Sequence, residues 1–197
     1  RSNVVIAKAG IGKVLSAAGT ATMLNRYPVS YLIFTGIAGG VGDETKVMDM
    51  VIGTKLVQHD YGNQNQDGFE WSSAYNEADG YYTRDDDLVR LAYEAAKEVV
   101  GEKHVFKGVI ATGDQFVASG TYVKYLQDQF DALACEMEGA SVAAVCEQFG
   151  IPYVIIRCMS DKADGKAYET YENFGDTAAD NSGRIVRKML KGLEGKQ

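Results

Sequence analysis

The sequence predicts an α/β fold, a mostly parallel β-sheet covered by helices on both faces. Apolar runs rich in Val, Ile and Ala alternate along the chain with segments of helical period, the order expected of strand–helix–strand units. These runs are near-continuous rather than alternating, as strands buried on both faces require. Hydrophobic residues make up 46% and charged residues 24% of the 197 positions, enough for one sizeable core and too apolar for disorder.

Each element follows in order. Residues 4–9 read as a buried strand, and Gly10 and Gly12 lead into a helix over 13–25. Pro28 punctuates the connection to a strand over 31–35, which runs into Gly36-Ile37-Ala38-Gly39-Gly40. A longer strand covers 47–57 and ends at Gln58-His59-Asp60. Residues 61–83 are polar, rich in Gly, Asn and Tyr, and without period, the pattern of a long functional loop or an interface segment. Asp86 opens a strong helix through Val100, and a strand over 105–111 leads into Thr112-Gly113-Asp114. A short helix over 122–129, a strand over 132–136, a helix over 139–149, a strand over 153–158 and a helix over 171–193 complete one domain over 1–197, without repeat or linker.

Composition excludes several function classes. The formal net charge is -7, whereas a nucleic-acid binder needs clustered cations to displace phosphate counterions. The densest basic group, Arg184, Arg187, Lys188 and Lys191, reads as a solvated helix face. Cys135, Cys146 and Cys158 sit among apolar neighbours without metal-like spacing, which points to free structural thiols in a reducing, cytoplasmic compartment. Two histidines give no metal constellation, so His59 and Asp60 read as structural or interface residues. No run is long enough to cross a membrane, and no signal peptide is present. The chain opens at Arg1 without Met, as expected of a fragment or processed form whose targeting segment, if any, lies outside it.

In sheets of this kind ligands gather beyond the carboxyl ends of the strands. Glu136-Met137-Glu138 stands at one such end. Carboxylates there can accept hydrogen bonds from the vicinal hydroxyls of a ribose, or serve as an acidic pair at a helix N-terminus. At another end stands Ser160-Asp161, either a general acid raised in pKa by burial or a plain cap or turn. The cluster containing Ala38 and Gly39 admits close backbone approach to a ligand or simply ends a strand; it is not GxGxxG, which argues against a dinucleotide cofactor. Phe116 can stack on a flat base while the backbone of Val117 reads its edge, or can pack in the core.

Taken together, Ala9-Gly10-Ile11-Gly12-Lys13, Thr35-Gly36-Ile37-Ala38-Gly39-Gly40, Thr112-Gly113-Asp114-Gln115-Phe116, Glu136-Met137-Glu138-Gly139-Ala140 and Arg157-Cys158-Met159-Ser160-Asp161-Lys162-Ala163-Asp164 resemble the 5′-methylthioadenosine/S-adenosylhomocysteine nucleosidase family of the nucleoside phosphorylase and nucleosidase superfamily. The resemblance implies a three-layer αβα sandwich around a mixed, partly barrel-like sheet, working as a cytoplasmic homodimer in nucleoside catabolism and methionine salvage. It implies hydrolysis of the N-glycosidic bond of an adenine nucleoside, with no metal or organic cofactor and no nucleic-acid or membrane partner. Glu138 would hold the ribose hydroxyls with Met137 against the sugar. Asp161, oriented by Ser160, would protonate N7 of the leaving base. Arg157 would position the attacking water, and Tyr171, where the family usually has Phe, would close over the nucleoside.

Three departures accompany the resemblance. The family's first strand, with its water-activating Glu, is expected upstream of Asn3. Ile37 stands where Ser is common, and residues 61–69 differ from the usual 5′-thioalkyl pocket. A phosphate-dependent purine nucleoside phosphorylase and a nucleoside-binding protein without turnover are the competing readings. Hydrolysis is preferred over phosphorolysis because Phe34 and Ile37 offer phosphate no side-chain partner.

Overall fold

The computed structural model describes residues 3–73, 79–83 and 85–194. In chain order the elements are α1 (Lys13–Arg26), β1 (Leu32–Gly40), β2 (Met50–Gln58), β3 (Gly62–Asn65), β4 (Gly68–Trp71), β5 (Tyr81–Tyr82), α2 (Asp86–Val100), β6 (Val105–Thr112), α3 (Gly120–Phe130), β7 (Ala132–Glu136), α4 (Gly139–Phe149), β8 (Tyr153–Asp161) and α5 (Ala167–Glu194).

Strands with apolar side chains on both faces must be covered on both, and here the sheet also curls onto itself. β2, β6, β7, β1 and β8 pair in that order, and β8 returns to β2, closing a five-stranded ring. The β1–β8, β2–β6 and β6–β7 pairs are parallel, while β1–β7 and β2–β8 are antiparallel. β5 joins β2 at Lys55 and Leu56, beyond the residues that β8 pairs. The mixed, mostly parallel and partly barrel-like sheet is thus the one the family resemblance implied.

Successive strand residues point to opposite layers. Met50, Ile52, Val154, Ile156 and Cys158 pack with Leu88, Ala92, Ile185 and Met189 of α2 and α5. Val51, Leu56, Ile110 and Ile155 pack with Ala140, Val142 and Ala143 of α4, over which α1 lies. A third cluster joins Val57, Ala111 and Cys135 to Leu126 and Phe130 of α3. Caps set the helix starts, Asp85 accepting from Leu88 N at 2.8 Å before α2 and Ser119 preceding α3. The helix expected over 122–129 therefore begins at Gly120, the first residue after its cap.

Other boundaries differ for identifiable reasons. Residues 4–9 form no strand: they pair with no neighbour in the sheet, and Ile6 is 91% exposed. An apolar run becomes a strand only with a ladder to join. β2 begins at Met50 rather than 47, because Asp49 Oδ2 accepts from Lys46 N at 2.8 Å and Met48 has a φ of 75°, together forming a turn. β1 and β8 run on because Gly39 pairs with Asp161, and β1 reaches Gly40 by pairing with Ala134 of β7. Residues 61–83 hold a hairpin, β3–β4, with Gln66 and Asp67 at its tip, and Trp71 Nε1 donates to Gln58 O at 2.8 Å. The part of that stretch at 74–78 lies outside the described residues. α5 starts at Ala167, one turn earlier than its periodicity indicates.

Ile156 is fully buried between β1, β2 and α5. We expect Ile156→Ala to lower unfolding free energy by about 2–5 kcal/mol, while Arg90→Ala on the exposed face of α2 changes it by about 0.5 kcal/mol or less. Urea titrations of the two variants check this.

Candidate active site

The ring brings four strand ends to one side. β6 ends at Thr112, β7 at Glu136, and β8 at Asp161 beside Gly39 of β1. All eleven residues singled out from the sequence line one cavity there: Ala38, Gly39, Phe116, Val117, Glu136, Met137, Glu138, Arg157, Ser160, Asp161 and Tyr171. Its volume of about 1770 Å³ exceeds a single small-molecule pocket, because it continues into a groove lined by Val4, Val5, Ile6 and Tyr27.

At its floor lies an ion pair. Arg157 is 3% exposed, and its Nη2 donates to Glu136 Oε2 and stands 3.5 Å from Glu138 Oε2. Its Cζ lies 4.6 Å from the centre of the Phe34 ring, a cation–π contact. Gly36 is required by this arrangement: a Cβ there would lie 2.1 Å from Arg157 Nη1.

The two glutamates have different duties. Glu136 Oε1 accepts from the Thr112 hydroxyl and from Gly139 N at 2.9 Å. Its Oε2 accepts from Arg157, from Glu138 N at 3.1 Å and from Gly139 N at 2.8 Å. It therefore caps the N-terminus of α4, and neither oxygen keeps a free lone pair for a ligand hydroxyl. Glu138 Oε1 accepts from Gly12 N at 2.9 Å, the Met137 N–H is a second backbone donor to the carboxyl, and Arg157 makes a long contact with Oε2. Burial raises its pKa, Glu136 adds to the rise, and Arg157 and the Gly12 N–H oppose it. The alternatives of sugar clamp and helix-terminal acid thus divide, with Glu136 at the helix terminus and Glu138 open to the cavity.

Asp161 is 3% exposed. Its Oδ2 accepts from Ser160 Oγ at 2.8 Å and its Oδ1 from Ala163 N at 2.7 Å. Burial raises its pKa above the usual carboxylate range, against the pull of those two donors, and Asp164 adds to the rise. Gly39 lets the carboxylate approach β1, since a Cβ there would lie 3.0 Å from Asp161 Oδ1. The turn reading and the acid reading are compatible: the Ala163 bond is a local turn, and the other oxygen faces the hydroxyl.

Phe116 is 40% exposed, stacked on Tyr168 with centroids 4.4 Å apart and edge-on to Tyr171 at 6.3 Å. Tyr168 is a cavity residue that sequence reasoning passed over. Its signal was the Tyr spacing of three, which places both rings on one side of a helix, but it is visible only once α5 is known to begin at Ala167. Lys13 and Asp114 also escaped notice as neighbours of the site. Asp60 accepts from Lys13 Nζ at 2.6 Å and from Asp114 N at 2.8 Å, and Lys13 N donates to Asp114 Oδ1 at 2.7 Å. Burial pushes Asp60 up, but these donors outweigh it and hold the carboxyl below its ordinary pKa. His59 is fully buried against Tyr122, Nδ1 to hydroxyl 2.9 Å, and burial lowers its pKa. The structural reading of His59 and Asp60 fits these contacts.

Among the described residues no group of three or more His, Cys, Asp or Glu could hold a metal ion, and no helix is long and apolar enough to cross a membrane. Chemically, the site offers a buried carboxyl raised in pKa, a second carboxyl opening to the cavity, and an aromatic surface.

Comparison with known proteins agrees in detail. The family model described as the phosphorylase superfamily matches residues 1–191. A 5′-methylthioadenosine/S-adenosylhomocysteine nucleosidase of Geobacillus sp. (strain WCH70) is 38% identical over 197 residues, covering 98% of this chain and 82% of the relative. An aminodeoxyfutalosine nucleosidase of Helicobacter pylori (strain J99) is 34% identical, covering 96% and 81%. The crystal structure of the Neisseria meningitidis 5′-methylthioadenosine/S-adenosylhomocysteine nucleosidase with methylthio-immucillin-A superposes with a TM-score of 0.84 at 37% identity, covering 93% of this chain and 79% of that one.

A carboxyl whose pKa is raised on folding contributes stability that is complete below the unfolded pKa and is lost as pH rises through the native one. Asp161 is such a group, and Asn can keep an acceptor for Ala163 N–H while removing the charge. We expect Asp161→Asn to melt higher than the parent at about pH 8, with the gap closing toward about pH 4. Thermal melts across that range check it; a gap independent of pH would contradict the raised pKa.

Proposed function

Because the chain belongs to the 5′-methylthioadenosine/S-adenosylhomocysteine nucleosidase family of the phosphorylase superfamily, we propose that it is a nucleosidase hydrolysing the N-glycosidic bond of adenine nucleosides and releasing adenine. The observation that carries this reading is the difference between two carboxylates in one cavity. Asp161 is buried beside one hydroxyl and raised in pKa, while Glu138 lines the cavity with its Oε2 a long 3.5 Å from Arg157.

In the proposed reaction C1′–N9 breaks as water bonds to C1′. Asp161 gives its proton to N7, so the base leaves as neutral adenine rather than as an anion. Such proton transfer supplies about two to four orders of magnitude. Glu138 accepts from the ribose hydroxyls, and these bonds strengthen as the sugar becomes oxocarbenium-like. Met137 packs on the sugar, and Phe116 and Tyr171 flank the base, whose edge meets the Val117 backbone beside Ala38 and Gly39. Arg157 orients the water. A general base takes the water's proton, and Glu136 is unsuited to this because both its oxygens are engaged.

Phosphorolysis is disfavoured by charge. The Arg157 guanidinium already faces two glutamates, and the residues at the places of phosphate ligands are Phe34 and Ile37. A phosphate dianion beside Arg157 would meet the charge of Glu136 and Glu138 and gain no side-chain partner from Phe34 or Ile37. The relatives' names divide between methylthioadenosine, S-adenosylhomocysteine and aminodeoxyfutalosine, so the 5′ substituent is the variable part of the proposal. We place the enzyme in the cytoplasm, in methionine salvage, as a homodimer over one domain of residues 1–197. The dimer is supported by the exposed apolar side chains of Ile11, Val14 and Leu15 around the start of α1, of which Val14 is 77% exposed.

The test is adenine release from 5′-methylthioadenosine in phosphate-free buffer. We expect turnover without phosphate, and a fall in kcat of about 10²–10⁴-fold in Asp161→Asn with nucleoside binding retained. Strict phosphate dependence with a sugar 1-phosphate product would sink hydrolysis, and full turnover by the variant would sink the acid role.

A further inference from the structure

Helix α1 begins without a cap of its own. Gly12 offers no side chain, and the first turn contains no acid. Its leading N–H groups are instead satisfied by carboxylates remote in sequence: Lys13 N by Asp114 Oδ1 at 2.7 Å, and Gly12 N by Glu138 Oε1 at 2.9 Å. Lys13 Nζ donates to Asp60 Oδ1 at 2.6 Å and to Gln58 Oε1 at 3.1 Å, and Asp60 Oδ2 accepts from Asp114 N at 2.8 Å. Lys13, Asp60 and Asp114 therefore close a ring of three hydrogen bonds that ties the start of α1 to the ends of β2 and β6.

We propose that this Lys13–Asp60–Asp114 ring is a positioning device for Glu138, fixing the Gly12 N–H that aims its carboxylate into the cavity. The proposal rests on the reading of Glu138 as the sugar anchor. A glutamate side chain has three rotatable bonds; besides the local Met137 N–H, the Gly12 N–H fixes this one from a remote element at 2.9 Å, while Arg157 is 3.5 Å away. Where α1 starts thus decides where the carboxylate points. None of the three ring residues lines the cavity, so they act through Glu138 rather than on a ligand. The Lys13 and Asp60 side chains are 18% and 14% exposed, shielded enough that the pair is not an ordinary surface ion pair.

A merely structural ring would affect all substrates alike, whereas a ring that aims Glu138 affects those offering the hydroxyl it accepts. The experiment compares kcat/KM for 5′-methylthioadenosine and for its 2′-deoxy counterpart in the whole protein, its Lys13→Met and Asp114→Ala variants, Lys13→Arg, and Glu138→Gln as control. We expect Lys13→Met and Asp114→Ala to lower kcat/KM for the ribonucleoside about tenfold and to change the deoxynucleoside about twofold or less. Lys13→Arg should recover most of the loss. Asp114 is exposed, so its variant carries the test should Lys13→Met fail to fold. Equal losses on both substrates, or no loss, would overturn the positioning role. If Glu138→Gln keeps the parent's preference for the ribonucleoside, it is the sugar-anchor reading that falls instead.

Discussion

A guanidinium sealed from water must be surrounded by negative charge and hydrogen-bond acceptors, and the burial of Arg157 imposes that condition on everything near it. Glu136 supplies the charge, Phe34 the ring face, and Gly36 the empty volume. Removing one partner of such a pair leaves an uncompensated buried charge, typically costing about 3–5 kcal/mol. Because Glu136 also receives the first N–H groups of α4, the same carboxylate joins β7, β8 and that helix. The cavity floor is thus rigid for an electrostatic reason before any ligand is considered.

On this floor the two acids acquire their differences from position alone. Asp161 ends a strand buried along its whole length, so its charge is costly and its pKa is raised. Glu138 stands two residues beyond the end of β7, between the starts of α1 and α4, where N–H groups and Arg157 partly offset burial. Two residues of similar chemistry thus meet the cavity with different partners, Ser160 and Ala163 for one and Gly12 and Arg157 for the other.

Much of this was legible in the sequence. The apolar runs at 105–111, 132–136 and 153–158 became strands because burial on both faces leaves little other choice for Val, Ile and Ala in short stretches. The strand ends marked the site, and the residues chosen there share one cavity. Residues 4–9 failed because pairing is a property of the neighbour. The β3–β4 hairpin was hidden because, despite Asp67-Gly68, only β4 alternates apolar residues, Phe69 and Trp71, while β3 has none. The division of labour between Glu136 and Glu138 was open, since two residues of spacing cannot say which carboxylate turns inward. The Lys13–Asp60–Asp114 contacts span 47 to 101 residues, and no local pattern encodes such a meeting.

The closed ring of β2, β6, β7, β1 and β8 has an evolutionary consequence. In an open sheet an edge strand can slide or be remodelled with little effect on the others, but here each of the five is hydrogen-bonded on both sides. A shift of β8 that moved Asp161 would have to be shared by β1 and β2. The first turn of α5, carrying Tyr168 and Tyr171, is outside the ring, as is the β3–β4 hairpin. Substitutions there can reshape what surrounds a ligand while the acids keep their places. Lineages sharing this fold are therefore free to diverge in the molecule they accept long before they diverge in the bond they break.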